Sequence, residues 1–236
     1  MYFRQFFEPD QAAMSYLLAD PATGQAVAID PRPDPCQALL LSALLAERHF
    51  DLGFILLTHT HVDPGNSLPD LYPGAQVIIG RGGRRLSGQR AVAHGEQLQV
   101  GEADIRVIAT PGHTACSVSY LWQDRVFCGD ALELGGCSQA KDNDCDPGRL
   151  YDSVLNQLFM LPDETLVFPG HDFHGRTVST IGEERRHNPF FQPHSRDRFV
   201  SRYRALQSGA DRPGGAAERR LDHCDRRAIS QEDARY

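Results

Sequence analysis

The chain has 236 residues, 31 acidic against 24 basic side chains, and a net charge of -7. With 41% hydrophobic residues it can bury a core, which excludes bulk disorder, and its acidic balance excludes nucleic acid or an anionic membrane as the main partner. Its richest apolar run, around 38–46, falls far short of the roughly 20 residues a membrane span needs.

Short apolar runs then alternate with turn signals. Residues 13–18 and 25–29 read as two strands joined at Asp20-Pro21-Ala22-Thr23-Gly24, a hairpin. Asp34-Pro35 supplies an N-cap and a first-turn proline, and Leu41, Leu44, Leu45 and Arg48 follow at helical spacing, so an amphipathic helix is expected over 35–49. Further strands are expected at 52–58 and 76–79, and 97–100 with 103–109 reads as a second hairpin. Strands at 116–122 and 125–128 follow. A helical stripe of Leu150, Val154, Leu155, Leu158 and Phe159 covers 149–160, a last strand covers 165–168, and helices are expected at 177–187 and 195–207. This order of elements predicts an α/β domain with helices layered on sheet. From about Ser208 the chain turns to Gly, Pro, Arg and Asp, with Leu221 and Ile229 its only large aliphatic residues. The expected division is therefore a catalytic domain over 1–207 and a flexible or arm-like tail over 208–236.

The six cysteines, at 36, 116, 128, 137, 145 and 224, contain no C-x-x-C pair. Free thiols in a reducing compartment are the expected state. The N-terminus shows no basic segment followed by an apolar one, so the expected location is cytoplasmic.

Four apolar strands each deliver a metal-ligand type at the carboxyl end. Leu56-Leu57 runs into Thr58-His59-Thr60-His61-Val62-Asp63, Val107-Ile108-Ala109 into Thr110-Pro111-Gly112-His113, Val126-Phe127-Cys128 into Gly129-Asp130, and Leu166-Val167-Phe168 into Pro169-Gly170-His171. Ligands gather at strand carboxyl ends in open α/β sheets. On an extended segment His59, His61 and Asp63 would point one way, and imidazole with carboxylate suits iron or zinc. Gly112, Gly129 and Gly170 let the backbone turn sharply beside these residues.

These segments resemble the metallo-β-lactamase superfamily, and three stretches resemble its persulfide dioxygenase branch, near glyoxalase II. The first is Arg4-Gln5-Phe6-Phe7-Glu8-Pro9 with Tyr16-Leu17-Leu18 and Ile29-Asp30-Pro31. The second is Thr110-Pro111-Gly112-His113-Thr114 with Gly129-Asp130-Ala131-Leu132 and Gly136-Cys137. The third runs from Pro169-Gly170-His171-Asp172-Phe173-His174-Gly175 through Thr177-Val178-Ser179-Thr180, Glu183-Glu184-Arg185 and Asn188-Pro189. The resemblance implies an αββα four-layer sandwich and oxidation of a small-molecule persulfide, such as glutathione persulfide, with O2 to sulfite and thiol. It implies one Fe(II) per chain on His59, His113 and Asp130, with His61, Asp63 and His171 around it orienting ligands and water. A homodimer is among the assemblies it allows.

Two positions depart from the family pattern. The superfamily motif continues Asp-His, whereas this chain has Asp63-Pro64, and proline offers no ligating atom. That weakens a two-metal hydrolase and suits a one-metal dioxygenase. The family reads Gly-Cys-Gly-Arg-Thr-Asp-Phe where this chain has Gly136-Cys137-Ser138-Gln139-Ala140-Lys141-Asp142, so Gln139 stands where an arginine would meet the substrate. Substrate contacts are expected from Gln139, Lys141 and His174. Weaker use of glutathione persulfide is expected, because glutamine cannot reproduce the charged bidentate contact. The competing readings are a zinc-dependent, glyoxalase II-like thioester hydrolase and a non-catalytic member that binds metal or sulfane sulfur.

Overall fold

The structure is a computed structural model, and it describes residues 1–61, 68–83, 88–138 and 145–207. Asp63, Pro64, Gln139, Lys141 and the 208–236 tail lie outside the described residues.

Among the described residues, twelve strands form two six-stranded sheets, each from one half of the chain. The first holds β1 (Tyr2–Glu8), β2 (Ala13–Ala19), β3 (Gln25–Ile29), β4 (Asp51–Leu56), β5 (Gln76–Gly80) and β6 (Arg90–Val92) in that spatial order. The second holds β7 (Gln97–Val100), β8 (Ala103–Ala109), β9 (Val118–Trp122), β10 (Arg125–Gly129), β11 (Leu166–Pro169) and β12 (Ser179–Thr180), again as neighbours in sequence order. The two predicted hairpins are the antiparallel pairs β2–β3 and β7–β8. Where the pairing turns parallel, β3 to β4, a helix is needed to bring the chain back. That helix is α1 (Pro35–Arg48), whose Asp34 cap accepts from Gln37 N and whose end is closed by His49 in the left-handed region.

Three apolar clusters fill the spaces between four layers. Met14, Tyr16, Ile29 and Leu56 of the first sheet face Val107, Tyr120, Trp122 and Phe127 of the second. Alternate residues of the first sheet, Leu17, Ala28, Ile55 and Ile79, turn outward under α1 and the short α2 (Leu68–Leu71). The outer face of the second sheet is covered by α3 (Pro147–Ser153), a π-helical turn (Val154–Leu158), α4 (Ile181–His187) and α5 (Arg196–Gln207). This is the αββα sandwich expected, and its two-faced burial explains why the central strands read as nearly continuous apolar runs.

The helix read over 149–160 begins two residues earlier and widens into the π turn, a change the apolar spacing does not distinguish. The helix read over 177–187 starts only at Ile181. Ser179 and Thr180 pair with β11 first, and the Thr180 hydroxyl then caps Glu183 N.

Candidate metal centre

The carboxyl ends of β4, β8, β10 and β11 meet at one edge of the sandwich. His59 and His61 follow β4, His113 follows β8, Asp130 follows β10 and His171 follows β11. Short backbone bonds fix these segments to one another: Val118 N to Thr58 O at 2.7 Å, Gly170 N to Gly129 O at 2.9 Å, and Met14 N to Gly170 O at 2.8 Å. Two buried tyrosines reach up from the inter-sheet core. Tyr16 donates its hydroxyl to the Pro169 carbonyl at 2.5 Å and Tyr120 to the Leu57 carbonyl at 3.0 Å.

The rings of His59, His61 and His113 stand nearly perpendicular to one another, with centroids 4.9 to 5.3 Å apart. One donor atom from each lies within 4.8 Å of the other two. Asp130, only 5% exposed, joins them: its Oδ2 is 3.7 Å from His59 Nε2 and 3.5 Å from His113 Nε2. Its other oxygen, Oδ1, accepts from His171 Nδ1 at 2.7 Å. Burial raises the Asp130 carboxyl, but the neighbouring His59, His171 and His113 outweigh it and hold the group well below the usual carboxylate range. Burial, against the pull of Asp130, lowers His113 to about 4, and it lowers His59 in the same way. Both rings are thus neutral, which is the ligating form.

The fit of a metal here rests on His113. It is 2% exposed, and neither ring nitrogen has a hydrogen-bond partner among the described residues. A buried polar atom so left is costly. Donor spacings of 3.5 and 3.7 Å leave room for one ion between the donors, which would draw in slightly to reach bonds near ~2 Å. Glycine is required beside the site, since a Cβ on Gly129 would strike the Thr58 side chain and one on Gly170 would strike Asp130 Oδ1.

A relay fixes His59 from behind. Asp30, held at φ 48° after β3, accepts from Thr58 N at 2.8 Å and from Thr58 Oγ1 at 2.7 Å. The same Oγ1 lies 3.0 Å from His59 Nδ1. With its proton given to Asp30, the hydroxyl accepts from Nδ1–H, which leaves the Nε2 lone pair toward Asp130. Burial pushes the Asp30 carboxyl up to about 7, against the two Thr58 bonds. Thr58→Val removes the hydroxyl but keeps the shape. Metal affinity is expected to fall about 10–100-fold with the fold retained. Titration of the apo protein against a competing chelator measures this, and unchanged affinity would remove Thr58 from the ligand-orienting set.

The remaining expected site residues divide. His61 lies in the histidine cluster and is exposed. His174 is exposed on the loop after β11. Its neighbour Asp172 is buried and accepts from the backbone N–H of His174, Arg176 and Thr177, so it shapes that loop rather than facing a substrate. Phe173, 61% exposed, stacks flat on His171 with centroids 5.7 Å apart. Sequence reading gave no role to Asp30, Thr58 or Glu133. Glu133 lies three residues after Asp130, and burial with the nearby Asp130 charge pushes its carboxyl up to about 7. The loop that carries it is braced from below by Asn188, which donates to Glu133 O at 3.1 Å and Gly136 O at 2.9 Å, and by buried Glu184, which accepts from Gly135 N at 2.8 Å. Acidic and amide residues in a stretch leading away from the motif were the available signal.

No protein-family model matches the chain. It is 38% identical over 194 residues to the mitochondrial persulfide dioxygenase ETHE1 of Bos taurus, which is 79% of this chain and 74% of that protein. The crystal structure of ETHE1 from Myxococcus xanthus superposes with a TM-score of 0.80 at 41% identity, covering 87% of this chain and 91% of that one. A hydroxyacylglutathione hydrolase of Polaromonas sp. is 36% identical over 167 residues, 67% of this chain and 62% of that protein.

Proposed function

We propose that this chain, which belongs to the persulfide dioxygenase family within the metallo-β-lactamase superfamily, oxidises a low-molecular-weight persulfide with O2. The balanced reaction is RSSH + O2 + H2O → RSH + sulfite + 2 H+. The metal, one Fe(II) per chain, is held by His59, His113 and Asp130. The observation that carries this reading is the division of Asp130. One oxygen faces two histidine Nε2 atoms, and the other is taken by His171. Two imidazoles and one carboxylate form the facial set of non-heme iron oxygenases, with positions left open.

When bound, Fe(II) supplies the redox chemistry that joins O2 to the outer persulfide sulfur. The chain's own residues do the rest. The Asp30–Thr58 relay fixes the tautomer of His59, and the inter-sheet core closes the floor under the strand ends. His171 holds a proton on Nδ1 for Asp130, and its other ring nitrogen is a place to take up one of the two protons released. Substrate recognition falls to His174 and to Gln139 and Lys141, the last two outside the described residues. Glutathione persulfide or a smaller persulfide fits this class.

A second reading has its own observation. The donors that all lie within 4.8 Å of one another are His59, His61 and His113, the three-imidazole set of a zinc site with an activated water. Such a site suits the thioester hydrolase. His61→Ala separates the two. Under the dioxygenase reading the variant keeps its metal and its persulfide-dependent oxygen uptake within about 10–100-fold of wild type, as for loss of an orienting residue. Under the hydrolase reading it comes out metal-free. Elemental analysis of anaerobically purified protein and an oxygen electrode with glutathione persulfide give both readouts. Zinc in the wild type together with no oxygen uptake would overturn the proposal.

Among the described residues no helix is long and apolar enough to cross a membrane. No disulfide joins Cys36, Cys116, Cys128, Cys137 or Cys145, which supports a reducing compartment, and we take this to be the cytoplasm.

A further inference from the structure

Beyond Asp130 the chain runs Ala131-Leu132-Glu133-Leu134-Gly135-Gly136-Cys137. Ala131, Leu132, Leu134 and Cys137 are buried in the apolar cluster on the outer face of the second sheet. Among these side chains Glu133 is the one left out of that cluster, and it is half-buried. Its backbone is fixed twice over. Gly136 N donates to Glu133 O at 3.2 Å, and Asn188 Nδ2 donates to the same oxygen at 3.1 Å. The carboxylate folds back along this turn, where Oε2 lies 3.0 Å from the place a Gly136 Cβ would take, and the Ser138 side chain hydrogen-bonds it.

No cation answers this carboxylate among the described residues. Arg176 reaches the same turn, with Nη1 3.4 Å from the place a Gly135 Cβ would take. Its guanidinium is already taken, since it donates to Glu183 Oε1 at 2.6 Å and lies 3.8 Å from Glu184 Oε1. Asp130 and His171 both lie close enough to act on Glu133, with opposite sign. A carboxylate drawn partly out of water beside a second carboxylate is costly without a cation. The packing supplies no reason for one, because the residues on either side are leucines buried in the core.

We propose that Glu133 is a specificity residue that receives the ammonium group of an amine-bearing persulfide, selecting such a substrate over a persulfide that ends in a carboxylate. The inference rests on the dioxygenase reading of the same site. Three residues span at most about 11 Å of chain, so a short spacer between sulfur and ammonium is enough to bridge Asp130 and Glu133. A carboxylate at the same end of the substrate would meet Glu133 and Asp130 as like charges. An ammonium meets a ready acceptor, and the contact is charge-assisted.

Cysteamine persulfide and 3-mercaptopropionate persulfide test this, since they match in length and carry opposite end charges. Oxygen uptake by the metal-loaded full chain is expected to favour the cysteamine compound by at least about tenfold in kcat/KM, mainly through KM. Glu133→Gln is expected to erase that preference, Glu133→Asp to recover part of it, and Glu133→Lys to reverse it. A merely structural role predicts no reversal. The corresponding thiols capped as methyl disulfides lack the outer S–H and give a second readout, binding to wild type and Glu133→Gln by calorimetry. The amine-bearing disulfide is expected to bind the wild type at least about tenfold more tightly than the carboxylate one, and the variant without preference. If Glu133→Lys does not fold, the glutamine variant and the binding measurement decide. No oxygen uptake with either persulfide would strike the dioxygenase reading, and the binding preference would still judge Glu133. Uptake or binding that is indifferent to the end charge, or a preference that survives Glu133→Gln, overturns the proposal.

Discussion

His113→Ala is expected to release the metal and abolish turnover while leaving the fold in place. The ring is the most deeply buried of the histidines at the site, 2% exposed, and its nitrogens have no hydrogen bond among the described residues to keep them there. Its loop is held independently of the ring. Gly112 O accepts from Asp146 N at 2.8 Å, and Pro111 O accepts from Ser153 Oγ at 2.6 Å. The truncation therefore removes a candidate metal donor without freeing the backbone. Two remaining protein donors would hold a metal ion poorly, so metal content is expected below about a tenth of wild type. Burial keeps the wild-type ring neutral down to pH about 4, so the metal meets a ready ligand at neutral pH and displaces no proton. The apo variant should melt within about 5 °C of the apo wild type, because an unsatisfied buried imidazole already costs free energy that its removal returns. Elemental analysis, oxygen uptake and a thermal melt together give the answer. Full metal occupancy with lost activity would instead put His113 on the substrate.

The parts of this site that could be read in the sequence are those where chemistry restricts residue type. A His or Asp directly after an apolar run is uncommon, and four such ends converge in space as they do in sequence pattern. The supporting layer was not legible in the same way. Asp30 and Thr58 are 28 residues apart and meet only because β3 and β4 pair in parallel, with Ile29 against Leu56. Nothing local in Ile29-Asp30-Pro31 specifies that partner. The elements divide along the same line. The hairpins β2–β3 and β7–β8 carry their own turn residues and were readable, whereas β6, β12 and α2 are two to four residues long and exist through tertiary pairing. β1 carries aromatics on both faces, so the period-two signal that marks a half-buried strand is absent from it.

His171→Ala carries the second large effect, and it has the opposite signature: the metal stays and the rate falls. His171 Nδ1 donates to Asp130 Oδ1, while Oδ2 faces His59 Nε2 and His113 Nε2. The hydrogen bond to Asp130 raises the His171 imidazole and helps keep the carboxylate ionised. Without it, Asp130 retains His59 and His113 beside Oδ2 but loses the group that fixes its rotation. Loss of an orienting partner typically costs 10–100-fold, and kcat is expected to fall by about that factor with metal content near wild type. His171→Gln separates positioning from proton transfer. An amide N–H can donate to Oδ1 but cannot take up a proton at neutral pH. If rotation of Asp130 is what matters, the glutamine variant recovers much of the rate. If proton uptake dominates, it stays as slow as alanine while the pH dependence of kcat flattens. A metal-free His171→Ala chain would make His171 a direct ligand. The division of Asp130 between a metal and an orienting histidine would then give way to a second metal position on that side of the carboxylate.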